Sequence, residues 1–111
     1  MVTLFYTKIH SEFFIFLGVA LHYTIHLIEK IEYNPKNEEY VLDLMIHMGC
    51  MLDRCLSKID IKYNNLDLYK EKEKLLFDKI IIALKDIEQD YNIKISDDEV
   101  AYIVKIITTK K

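Results

Sequence analysis

The stretch from Asn37 to Lys58, NEEYVLDLMIHMGCMLDRCLSK, constrains this chain more than any other. At 100° per residue, Val41, Leu44, Met45, Met48, Met51, Leu52, Cys55 and Ile59 fall on one broad face. Leu42, Ile46 and Gly49 form a second, narrower apolar strip. A helix that is apolar over most of its circumference is either central to a small domain or shared with a partner chain. Its start is legible as well. Asn37 is suited to accept a first-turn N–H, and Glu38 and Glu39 follow where the helix dipole favours carboxylates. One polar stripe remains, made by Asp43, His47, Arg54 and Lys58, with Tyr40 and Cys50 beside it. His47 and Arg54 are seven residues apart, so they project the same way, about 10 Å apart along the axis. Asp43 lies one turn before His47, placed to orient its ring.

Two Gly and one Pro in 111 residues leave few breaks, so the rest of the chain is also expected to form long helices. The first runs from about Thr7 to Ile31, with Phe13, Phe16, Leu17, Ala20, Thr24, Leu27, Ile28 and Ile31 on one face. Tyr33-Asn34-Pro35-Lys36 is a turn, because proline disfavours helix at the residue before it. After the central helix, Ile59 to Asn65 is a connection. Leu66 to about Lys74 is a short, charged, exposed helix, and Leu75 to Tyr91 a longer one with Leu76, Ile80, Ala83, Leu84, Ile87 and Tyr91 at helical spacing. Ser96-Asp97-Asp98-Glu99 opens the last helix. Ser96 caps it, and Glu99 is placed to return a bond to the Ser96 N–H in a capping box. Val100, Ile103, Val104 and Ile107 then make an apolar stripe. The expectation is all-α: a five-helix bundle of antiparallel helices, a single domain over residues 1–111, with 51% hydrophobic residues to fill its core.

Fifteen basic and eighteen acidic residues give a net charge of −3, which does not favour direct nucleic-acid binding, and no helix-turn-helix pattern is evident. The apolar run Phe13–Leu21 is interrupted by His22 and His26 and flanked by Glu12 and Glu29, too short to span a bilayer. Cys50 and Cys55 are five apart and lack the close pairing of a zinc site, so both are expected as small buried thiols in a reducing cytoplasm. His22 and His26, with Glu29 three further, have ligand spacing on one helix face. No matching ligands can be assigned from other helices, and the bland reading, histidines on a solvated face, is preferred; no metal or cofactor is expected. There is no phosphate loop or nucleophile motif, so the chain is not expected to be an enzyme.

MIHMGCMLDR resembles the first histidine helix of the phosphotransferase-system regulation domain (PRD), whose pattern is an apolar run, His, more apolar residues, then Arg. NIKISDDEVAYIVKII resembles the last helix of that domain, and the intervening lengths also fit. The likeness is greatest to the C-terminal copy in regulators of the levanase-operon type. It implies a regulatory module of a bacterial transcriptional activator or antiterminator, phosphorylated on a histidine by sugar phosphotransferase-system carriers. On the resemblance, His47 is the phosphorylation site and Arg54 and Asp43 its neighbours on the stripe. The donor is the general phosphocarrier or the sugar-specific component B, and related domains pair, so a homodimer is expected. Asp98 and Glu99 match the family's acidic pair, read here as helix capping and dipole complementarity. The family usually has another histidine in its last helix; Ile106 stands there, so a second phosphorylation site is not expected. Spacing alone favours an ordinary hydrogen-bonded histidine at position 47, and the alternative function is a helical interaction or dimerisation module without phosphorylation.

Overall fold

The computed structural model describes residues 17–32 and 38–109, which are helices joined by turns and irregular segments, with no strand. Helix α1 covers residues 17–30; α2 is Glu38–Leu56, α3 Leu66–Lys72, α4 Lys74–Ala83, α5 Lys85–Tyr91 and α6 Asp97–Thr109. Glu73, at φ −109° and ψ 31°, breaks α3 from α4. At Leu84 the backbone stays in the right-handed helical region. The Leu84 N–H still donates to Ile80 O at 2.9 Å, and the Glu88 N–H to Leu84 O at 3.1 Å. The α4–α5 pair is therefore one interrupted helix, and the described residues form the expected all-α, five-helix bundle. The expected start at Thr7, the Tyr33–Lys36 turn, the Asn37 cap and the Phe13 and Phe16 positions lie outside the described residues.

The core is built from the stripes that periodicity picked out. Ala20, Thr24, Leu27 and Ile31 of the first helix are buried, as are Leu44, Met48, Met51 and Leu52 of α2 and Ile80, Ala83, Leu84 and Ile87 of the α4–α5 pair. Phe77, which the spacing had not selected, is fully buried and is one of the largest core side chains. The second strip of α2 divides: Gly49 is buried, whereas Leu42 is 49% and Ile46 54% exposed. Ile59 is also exposed, because the helix ends before it.

The hub is α6 rather than α2. It packs against α2, α3 and α4 and buries Glu99, Val100, Ala101, Ile103, Val104 and Ile107. Its N-terminus is tied down on three sides. Lys70 of α3 donates to Asp97 Oδ2 at 2.6 Å, the Tyr63 N–H donates to Asp98 Oδ1 at 2.8 Å, and Arg54 of α2 holds Glu99. All three acids sit in the first turn, where the helix dipole adds to each contact.

Helix α2 stops at Leu56 and closes with a Schellman turn. The Ile59 N–H donates to Arg54 O at 2.9 Å and the Lys58 N–H to Cys55 O at 3.3 Å, with Lys58 left-handed at φ 58°. Lys58 thereby leaves the polar stripe that the sequence extended to it. Asn92, at φ 52°, ends α5 in the same way.

Candidate functional site

Helical spacing on α2 places Asp43, His47 and Arg54 along one edge, and tertiary packing brings α6 against that edge. Arg54 meets Glu99 there through a two-point fork: Nε donates to Oε2 at 2.8 Å, and the second contact, Nη2 to Oε1, is 2.7 Å. The Glu99 side chain is 3% exposed and that of Arg54 22%. A carboxylate this deeply buried needs a charged partner, and the planar guanidinium supplies it in matching geometry. Glu99 holds Arg54 protonated yet more firmly, chiefly through these hydrogen bonds.

This overturns half of the capping-box expectation. Ser96 Oγ does accept the Glu99 N–H, at 3.3 Å, but the Glu99 carboxylate turns inward to Arg54 instead of returning to the Ser96 N–H. The signal was in the sequence: Glu99 stands four before Ile103 and so falls on the buried stripe of α6. An acid on an apolar stripe calls for a cation from another element.

His47 sits beside this pair. Its Nε2 is 3.9 Å from Glu99 Oε1, its side chain is 14% exposed, and Nε2 is buried without a hydrogen bond. Burial pushes the ring's pKa below the ordinary 6.5, the Glu99 charge pulls it up and the Arg54 charge pushes it down, leaving it lowered. The ring is therefore neutral at physiological pH, with one nitrogen carrying a lone pair. The carboxylate that packing sets against Nε2 is that of Glu99. Asp43 is half-buried one turn earlier on α2 and takes part in an interaction of its own.

Tyr102, one turn after Glu99 on α6, covers the ring, with centroids 6.2 Å apart. Its hydroxyl donates to Lys62 O at 2.9 Å, and Tyr63 meets it edge-on at 5.0 Å while stacking on Tyr69. These contacts fasten the 57–65 connection over α6 beside the histidine.

Glu99 also borders a cavity of 440 Å³ with Cys55, Lys58, Tyr91, Lys94 and Ser96. Burial, and then the Glu99 charge, push the Cys55 thiol up, away from the reactive thiolate. Cys55 is half-buried as a small apolar residue should be, but Cys50 is exposed, contrary to expectation, because it faces away from the α2 core stripe; both are free thiols.

The histidines of α1 are not brought to this site. His22 is exposed and edge-on to Tyr23. His26 Nε2 lies 2.8 Å from Asp86 Oδ2 of α5 as an ion-pair contact rather than a hydrogen bond. The Tyr23 hydroxyl donates to Asp90, so these residues fasten α1 to α5. Among the described residues no group of three His, Cys, Asp or Glu side chains is arranged to hold a metal, and no helix is long and apolar enough to cross a membrane.

The family model described as PRD domain matches residues 23–110, which include α2, α6 and every residue of the His47 site. No curated protein and no solved structure matches the chain.

Proposed function

The chain belongs to the PRD domain family, and from that premise we propose that it is a non-enzymatic regulatory module of a bacterial transcriptional activator or antiterminator, switched by phosphorylation of His47. The family is known in transcription regulators controlled by the sugar phosphotransferase system. The finer reading rests on the resemblance of its two helical motifs to the C-terminal copy in levanase-operon-type regulators. The donor is the general phosphocarrier or the sugar-specific component B, the setting cytoplasmic, and other parts of the regulator contact nucleic acid. Residues 1–111 serve as one regulatory domain.

The observation that carries this reading is the placement of a neutral histidine against the Arg54–Glu99 pair that joins α2 to α6. A phosphoryl group adds roughly −2 of charge to the ring. Beside the pair, that charge attracts Arg54 and repels Glu99; one turn back it repels Asp43. The α2–α6 contact then shifts between two packings, as a local charge change does in phosphorylation switches generally. A second copy of the chain reads that shift. Leu42 and Ile46 of α2, with Leu21 and Ile25 of α1, are each more than 40% exposed and supply the apolar strip of a two-fold dimer.

The test is incubation of the purified domain with the general phosphocarrier, its kinase and the sugar-specific component B, followed by acid-labile phosphate analysis. Label is expected on the wild type and not on His47→Ala. Equal labelling of both, or none with any sugar-specific donor, defeats the proposal.

A further inference from the structure

A histidine that accepts a phosphoryl group must offer a lone pair on one ring nitrogen, and the two nitrogens of His47 are not equivalent. Nε2 is buried, has no hydrogen bond, and faces the 3%-exposed carboxylate of Glu99 at 3.9 Å. A lone pair aimed at a carboxylate is repelled, whereas an N–H aimed at it is attracted. The side-chain surface that remains open to solvent belongs to atoms other than Nε2, whose own exposure is essentially nil.

We infer that Glu99 is a positioning residue for His47: it keeps the proton on Nε2, so that Nδ1 is the nitrogen that takes the phosphoryl group. The inference rests on the proposed phosphorylation of His47 and adds its regiochemistry and its orienting group.

In the transfer, the Nδ1 lone pair forms a bond to phosphorus while the bond from phosphorus to the donor side chain breaks, its electron pair leaving with the donor atom. The Nε2 proton stays in place. The ring becomes cationic as the N–P bond forms, and the Glu99 carboxylate already faces that charge. A third group that orients a histidine through its far nitrogen performs the same service in nucleophilic triads.

Arg54 is the counterweight. Unopposed, Glu99 in a buried site draws a second proton onto the ring, and an imidazolium has no lone pair to give. The two-point fork at 2.8 and 2.7 Å sets the Arg54 cation directly against that carboxylate. Burial keeps His47 neutral and the Arg54 charge adds to that, while the direction of its tautomer is retained. The lowered ring pKa agrees with this geometry.

Two measurements test the inference. Nitrogen-15 chemical shifts of His47 in the unmodified wild-type domain report the tautomer without any phosphorylation; the Nε2–H form is expected at pH 7. Phosphorus–nitrogen correlation spectra of the labelled domain report the modified atom; Nδ1-phosphohistidine is expected. Glu99→Gln slows labelling by about ten-fold or more. Arg54→Gln moves the pH dependence of labelling to higher pH, because the uncompensated carboxylate then holds the ring protonated. An Nδ1–H tautomer, an Nε2-phosphohistidine, or wild-type labelling of a folded Glu99→Gln overturns this inference and leaves the proposed function standing. Absence of label from His47 with every donor overturns both.

Discussion

His47 links the site's chemistry to a stability prediction. Its ring is buried in the neutral form and its folded pKa lies below the ordinary 6.5, because burial outweighs the pull of Glu99 and Arg54 adds to the depression. The unfolded chain therefore binds a proton more readily than the folded one. Stability from this group is complete above pH 6.5 and is lost as the pH falls from there through the depressed folded value. Urea midpoints measured between pH 7.5 and 5 should fall with acid in the wild type, and the fall should be shallower in His47→Gln. An equal slope in both would show that the ring is not buried neutral. Glu99 is a residue whose local reading was only half correct. Ser96 and Glu99 have capping-box spacing, and the backbone half of that box forms. The side chain faces a choice between a solvent-side N–H and a guanidinium, and the charged, two-point contact is the stronger.

Among the elements, α2 and α6 are joined by apolar packing and by the one buried ion pair described between them. Removing a single partner leaves the other charge desolvated and alone, so Arg54→Ala should lower stability by about 3 kcal/mol. Replacing both partners with apolar residues of similar size, Arg54→Met with Glu99→Leu, should recover most of that loss. Denaturant titration of the single and double variants checks both statements; a loss under about 1 kcal/mol for Arg54→Ala would mean that water reaches Glu99 freely. The end of α2 supports a prediction of opposite sign. Lys58 is exposed and left-handed, a conformation that costs a side-chain-bearing residue roughly 1–2 kcal/mol, whereas glycine adopts it freely. Glycine also loses more chain entropy on folding, so Lys58→Gly should raise stability by about 0.5–1 kcal/mol net. A lower thermal midpoint in that variant would show that the lysine side chain makes a contact worth more than the backbone strain.

At the scale of the whole molecule, Leu21 and Ile25 of α1 and Leu42 and Ile46 of α2 leave apolar surface exposed. Leu21, Val41, Leu42 and Met45, with Glu39 at the edge, line a largely apolar concavity of 470 Å³. Covering such surface with a second copy removes it from water. Sedimentation should show a dimer at micromolar concentration, and Ile46→Glu should convert it to monomer without loss of helical signal. A wild type that remains monomeric at high concentration would remove the strip from the proposed mechanism.

The sequence alone determined the helices and their inward faces. Leu44, Met48, Met51 and Leu52 on α2, and Val100, Ile103, Val104 and Ile107 on α6, repeat with the helical period, and nothing but a helix buries them together. It also determined that His47 and Arg54 share an edge, since a spacing of seven on one helix leaves no other arrangement. Periodicity describes one helix at a time, however, and the site is made between two. That Glu99 would cross to Arg54, that its carboxylate would face Nε2, and that Tyr102 would cover the ring depended on how α6 lies against α2. The same contact decided which apolar strip of α2 became core. Gly49 sank into the bundle while Leu42 and Ile46 stayed outside, because a helix in a small bundle has neighbours on only part of its circumference.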